Sequence, residues 1–516
     1  MRKSKIFFGS LALLSMGLYS CSSDEPVVGG GNQTIDGDRY MAVNISTAGL
    51  GATRAAGEGF EESKSDGSEG TITANNTRFY FFDASGNAFT MASAVNVNGD
   101  VVSNMVKPVS IESSKDDGNG TSDKSKSVLV LGKAAGEGFQ GVVPAQAVCI
   151  VGLSDTDFTD LQNKSLSTLA QTVKAYEGAS FIMSNSNWEG AGDNGAVSIA
   201  DKIQTTPELA KENPAEFYME RLAVKVRLKD LGTFTSQDAD GNDATYHIYG
   251  ENGEENIKLQ VKLDGWQLIN KGNGSYLIKQ LPANDFTGWT GWNAPDYHRC
   301  YWAVTPGEAS LGTKEYNIWE DDAWKTGVGD ANAEYTNEWT KTTQADVTEF
   351  LRGAETTAVV IRGRVQKVPA EGGTATNLDL VRWSGVYYEL NSFKKMVIDA
   401  YNTANHTTLT VDAVTLVEDT ENDNVHKVQV NGTDYAQYGK VQYWKDGAAS
   451  FVVNIKNEAG WFGVVRNHIY EYELEAVVGL GVPGNDPNKP EETETFVAAN
   501  LIELNWKLES NKLTLQ

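Results

Sequence analysis

Cysteine is scarce in this 516-residue chain, with three residues at positions 21, 149 and 300. Cys149 and Cys300 stand more than a hundred residues apart, which excludes a disulfide framework and a cysteine-based metal site. Five histidines, His247, His298, His406, His426 and His468, are scattered without the spacing of a zinc site. Basic residues are outnumbered, 43 against 69 acidic, and the net charge of −26 argues against nucleic acid, whose phosphates demand basic patches. The same acidity keeps an exported surface soluble and prevents unplanned association. No apolar run after the first twenty residues approaches the eighteen needed to span a membrane.

Catalytic signatures are missing as well. There is no Gly-rich phosphate loop between a strand and a helix, and no GxSxG, HExxH or CxxC. Carboxylates are so plentiful that no pair stands out as a glycosidase acid and nucleophile. The expectation is therefore a protein that is not an enzyme and carries no cofactor. Asp238-Ala-Asp240-Gly-Asn242-Asp243 clusters oxygen ligands and could hold calcium, but it has Gly at the fourth position and lacks an EF-hand glutamate, so a solvated hairpin turn is preferred. The tryptophans, Trp289, Trp292 and Trp302 among them, could stack on sugars; a sandwich core uses them as readily, and the core reading is preferred.

What the chain does have begins at its start. Arg2, Lys3 and Lys5 precede an apolar run from Ile6 to Tyr19, and Cys21 follows it. That layout predicts a secretory leader over residues 1–20, with a cysteine placed for lipidation at its end. Beyond Cys21, the polar and glycine-rich stretch through Gly31 reads as a tether.

Helical periodicity is sparse. It is predicted over Thr156 to Glu177, through Leu161, Leu166, Leu169 and Val173, and over Leu390 to Tyr401, through Phe393, Met396, Val397 and Ala400. Elsewhere short β-branched and aromatic runs alternate with turn residues: Thr77–Phe82, Ser127–Leu131, Ala147–Val151, Leu222–Leu228, Ile257–Leu263 and Ala358–Val365. This pattern, with 51 glycines and long polar loops, predicts an all-β chain of antiparallel sandwiches with a few short helices. Two domains are expected, divided in the polar stretch from Thr205 to Pro214.

Three segments carry the functional reading. In Arg39–Thr47, Met41, Val43 and Ile45 alternate with small or polar residues, the mark of a half-buried strand. Arg54 follows closely, flanked by Gly51-Ala-Thr and Ala55-Ala-Gly, small residues that let a chain enter an Arg-specific protease cleft extended. At the far end, a polar spacer from Val482 with three prolines leads to a strand whose Ile502, Leu504, Trp506 and Leu508 share one face. Such a strand can fold back or be given to a neighbour, and short connections favour folding back. Finally, Tyr470, Tyr472 and Leu474 alternate with charged residues and read as a strand.

These features, together with Phe181-Ile-Met-Ser-Asn, Glu220-Arg-Leu-Ala-Val-Lys-Val, Leu263-Asp-Gly-Trp266 with Tyr276, and Val465-Arg-Asn-His-Ile-Tyr470, occur in an order that resembles the fimbrillins of Bacteroidetes, the type V pilus family, nearest its short-fimbria major subunits. The likeness spans essentially the whole chain but lies in short motifs between variable loops.

The resemblance implies two transthyretin-like β-sandwiches, residues 55–210 and 211–481, after a leader (1–20) and a propeptide (21–54), with residues 482–516 as spacer and donor strand. It implies lipidation of Cys21, transport to the outer membrane, and cleavage by an Arg-specific maturation protease between Arg54 and Ala55. Loss of the Met41, Val43, Ile45 strand would open a groove, filled by the Ile502, Leu504, Trp506, Leu508 strand of a neighbouring subunit in a homopolymer capped by accessory tip and anchor proteins. A tip or anchor role within the same family, and a surface glycan-binding lipoprotein, stand as alternatives.

Overall fold

A computed structural model describes residues 39–46, 72–92, 102–115, 123–131, 143–169, 172–173, 175–177, 180–187, 194–272, 274–280, 324–339, 357–369, 373–419, 425–455, 463–484, 496–505 and 513–514. The chain is mainly β, with few helices.

The first unit is a nine-stranded sheet folded over on itself. Strand Ala215–Arg221 makes the fold possible, because its first half pairs with Arg39–Ser46 and its last three residues pair with Met183–Asn185. Between the layers lie Met41, Val43, Ile45, Phe79, Phe81, Leu129, Leu131, Cys149, Phe217 and Met219, all buried. Phe79 and Phe217 meet edge to face with ring centroids 5.2 Å apart. Strand Thr77–Phe82 is buried on both faces: Tyr80 and Phe82 point the other way, into a second apolar cluster with Phe158, Leu161, Leu166 and Leu169. Tyr80 donates its hydroxyl to the Phe158 carbonyl at 2.8 Å, and burial pushes its phenol well above the ordinary tyrosine range.

The long helix expected over Thr156 to Glu177 is not formed. A short helix, Asp155–Asp160, is capped by Ser154, and the chain then turns at Asn163 with φ of 58°. One helical turn, Leu166–Leu169, follows, and then the short strands Thr172–Val173 and Tyr176–Glu177. The leucines do face a core, so their spacing reported burial; left-handed Asn163 and β-branched Thr172 and Val173 decide the backbone.

The division between the units also falls later than the stretch from Thr205 to Pro214. Thr206 caps a helix, Pro207–Glu212, that packs on the N-terminal strand, and Ala215–Arg221 still belongs to the first sheet. The chain passes to the second unit at Leu222. There a ten-stranded sheet repeats the same device: Thr233–Gln237 pairs with Leu259–Ile269 through one half and with His468–Val478 through the other. Its core holds Val224, Val226, Trp266, Trp339, Ile361, Phe451, Tyr470 and Tyr472.

A third sheet of eight strands grows from two excursions of this unit and carries the helix Leu390–Asn405, whose Phe393, Val397 and Ile398 are buried. That helix extends the expected one by a turn and closes at His406, where φ is 54°.

Candidate functional site at the two chain ends

Strand Arg39–Ser46 is an interior strand. It runs antiparallel to Asp123–Leu131 over its whole length, Arg39 opposite Leu131 and Ser46 opposite Lys124. On its other side Val43 to Ser46 run parallel to Ala215 to Tyr218. Where that partner begins, Tyr40 and Gln204 take over, exchanging two backbone hydrogen bonds of 2.9 Å. The alternation read in the sequence is real: Met41, Val43 and Ile45 are at most 1% exposed and point between the layers. On the outer face Asn44 donates its side-chain amide to Glu216 Oε1 at 2.6 Å. Arg39 is 7% exposed, and burial lowers its guanidinium from the ordinary arginine value.

Strand Phe496–Asn505 is held differently. It lies antiparallel along His468–Val478, with Ile469 opposite Leu504 and Glu471 opposite Ile502, interrupted by an irregularity between Leu474 and Ala476. On its far side, among the described residues, it pairs with Leu513–Thr514 through two residue pairs. The strand starts six residues before Ile502, and the preceding spacer is partly structured, since Val482–Pro483 pairs with Ala449 and Ser450. In the intact chain each end is thus paired within its own molecule, one in each unit. Cys21, Arg54, Ala55, Trp506 and Leu508 lie outside the described residues, as do Cys300, Trp289, Trp292 and Trp302.

Sequence reasoning missed what joins the two units. Three of the short motifs quoted above, those holding Ile182, Glu220 and Arg466, converge with Tyr276 where Leu222 crosses between sheets. Asn467, in the left-handed region at φ 62°, donates its backbone N–H to the Ala223 carbonyl at 2.9 Å, and its side-chain oxygen accepts the Arg221 N–H at 3.1 Å. One asparagine therefore brackets the crossing residue. Beside it Arg466 donates Nε to Glu338 Oε2 at 2.9 Å and Nη2 to the Tyr276 carbonyl at 2.9 Å, with Arg466 and Glu338 essentially sealed from solvent. A second buried pair, Lys279 with Glu220 at 2.7 Å, lies at the same crossing. Thr172–Val173 of the first unit pairs with Ser275–Tyr276 of the second. Leu222, Leu277, Ile278 and Ile469 complete the apolar cluster around Tyr80 and Phe82. The visible signal was charge inside apolar runs, at Glu220 and Arg466; what it lacked was the partner, 128 residues away for Arg466.

Chemically this is a site for pairing. Among the described residues no group of three or more His, Cys, Asp or Glu is placed to hold a metal. In the turn at Asp238, that carboxylate accepts the N–H groups of Asp240 and Asn242 at 3.0 and 2.9 Å, and Asp243 bonds Lys258 at 2.7 Å. Trp266, Trp339 and Trp444 are core residues, at most 2% exposed.

No family model matches the sequence, and no curated protein matches it. Among solved structures the chain is similar to a candidate cell adhesion protein from Bacteroides eggerthii, at 11% identity over 91% of this chain and 97% of that one, TM-score 0.32. A candidate cell adhesion protein from Parabacteroides distasonis aligns at 12% identity over 90% and 96%, TM-score 0.36. A fimbrial assembly protein from the same species aligns at 11% over 66% and 89%, TM-score 0.26. At these identities and scores the likenesses assign no activity to this chain.

Proposed function

We propose that this chain is a stalk subunit of a surface fimbria, exported as a lipoprotein precursor, cut after Arg54, and polymerised by exchange of β-strands. One observation carries the reading: an interior strand of the first sheet, Arg39–Ser46, is joined to the rest of that sheet only through residues 47–76, where Arg54 is the sole arginine. A cut there frees a strand whose departure exposes two backbone edges and the apolar floor formed by Phe79, Leu129, Phe217 and their neighbours.

The C-terminal strand is suited to fill that groove. Held along one side by its own sheet, it would be held along both sides in a neighbour's, which is β-augmentation. Burying its four large apolar side chains removes on the order of 300–500 Å² from water, worth roughly 8–12 kcal/mol before entropic costs. Donor and acceptor sit in different units of one molecule, so the contact is heterologous and propagates as a filament. Tension along such a filament passes through the crossing at Leu222, where the buried ion pairs and the shared apolar cluster lie. The role is structural, with neighbouring copies, tip and anchor proteins and the maturation protease as partners.

The test treats the precursor without its leader with an Arg-specific protease. A new N-terminus at Ala55 and ladders on non-boiled gels are expected, and Arg54→Ala is expected to abolish both. Ladders from the Arg54→Ala protein would refute the reading.

A further inference from the structure

The N-terminal strand does more than fill space. Its outward Asn44 bonds the groove wall through Glu216. Asn44 stands between Val43 and Ile45, both sealed in the core. The C-terminal strand repeats that signature. Met41-Ala-Val-Asn44-Ile and Ile502-Glu-Leu-Asn505-Trp share apolar residues at the first, third and fifth places and asparagine at the fourth.

We infer that the donor strand docks in the register that sets Asn505 in the place of Asn44, opposite Glu216 of the accepting subunit, with Leu504 and Trp506 in the places of Val43 and Ile45. This inference rests on the strand-exchange reading above and adds its register. It holds for either running sense, because Asn505 has an inward apolar neighbour on each side and Leu508 or Ile502 then falls at Met41. A shift by one residue would turn every apolar side chain out of the groove, and a shift by two would put Glu503 or Lys507 in the asparagine place between Lys126 and Glu216, where either charge faces one of its own sign. Val497-Ala-Ala-Asn500-Leu also carries an asparagine in fourth place, but it would set Ala499 where Val43 is fully enclosed, leaving a void.

Cysteine pairing between subunits tests the register. In a Cys300→Ser background, with Cys149 buried and inert, an acceptor bearing Glu216→Cys is mixed after cleavage with donors bearing Asn500→Cys, Glu503→Cys, Asn505→Cys or Lys507→Cys. A disulfide needs Cα atoms within about 7 Å, which adjacent strand partners meet and residues two places away do not. The expected result is a cross-linked dimer from Asn505→Cys as the dominant product, absent from uncut precursor. Dominance of position 500, 503 or 507 overturns the register while leaving strand exchange standing. Ladders without a cross-link at any position overturn the register too, by placing the donor outside this groove. No ladders and no cross-links would remove the strand-exchange reading itself.

Discussion

The two ends of this chain are both β-strands, yet they are held by different amounts of structure. Arg39–Ser46 is flanked on both sides and its inward residues are sealed. Phe496–Asn505 has one full-length partner and a two-pair contact on the other side. The difference teaches that sequence position does not decide how hard a terminal strand is to remove. An interior strand is lost only if the chain behind it is cut, whereas an edge strand peels by fraying, at low local cost. The proposed exchange would run in one direction because the second strand gains a flank when it takes the place of the first.

Removing both ends together should do the most damage. A protein spanning residues 55–501 leaves the groove with no occupant, and a large drop in its melting temperature relative to the precursor is expected in calorimetry. A precursor lacking residues 502–516 should stay folded, be cut normally and remain monomeric by light scattering. If the doubly truncated protein melts where the precursor does, the claimed inequality between the ends is wrong.

Glu338→Gln supplies a control that ignores the ends. It strands Arg466 without its counter-charge in a sealed site, with an expected loss of about 3–5 kcal/mol in urea unfolding. The loss should be equal in precursor and mature subunit, since both share the crossing.

Met41→Ala should cost the precursor about 2–5 kcal/mol, because it opens a cavity in the first core. The polymer should be unchanged, Met41 having been cleaved away. A destabilised polymer would mean that the strand stays bound.

The smallest effect concerns pH. Burial alone would raise Asp330, but hydrogen bonds and charge from Lys225 and Arg227 prevail and hold it below the ordinary carboxylate value. A depressed pKa contributes stability above the unfolded value near 4 that is lost as pH falls below it. Asp330→Asn should therefore be less stable than the parent at pH 7, and the deficit should shrink as pH falls from the ordinary carboxylate range through the depressed value. The convergence should be the same whichever strand fills the groove.

Much of this was legible because burial and alternation coincide. Met41, Val43 and Ile45 alternate in the sequence and alternate in the sheet, as do Tyr470, Tyr472 and Leu474. The helix around Phe393 and Val397 was readable for the same reason at a different period. Legibility failed where a residue answers to something distant. Leu161 to Val173 carry helical spacing yet face a core supplied partly by Leu277 and Ile469, and the backbone bends to reach it. Ala215–Arg221 looked like the start of the second unit because its partners, Val43 to Ser46 and Met183–Asn185, lie far back in the chain. The third sheet left no trace, since its strands are inserted in two pieces and pair across the gap, Ile248 with Tyr387. Of the candidate site, the two strands were visible in the pattern; the Asn44 bond to Glu216 was not, because it depends on a parallel register.

Backbone hydrogen exchange of Asp123–Leu131 and Ala215–Tyr218 tests the central claim most directly. It should be followed in the precursor, in the cleaved subunit lacking residues 502–516, and in the polymer. Strand replacement predicts slow exchange, then fast, then slow again, in both walls of the groove. Persistent protection of both walls in the cleaved, truncated subunit would contradict it.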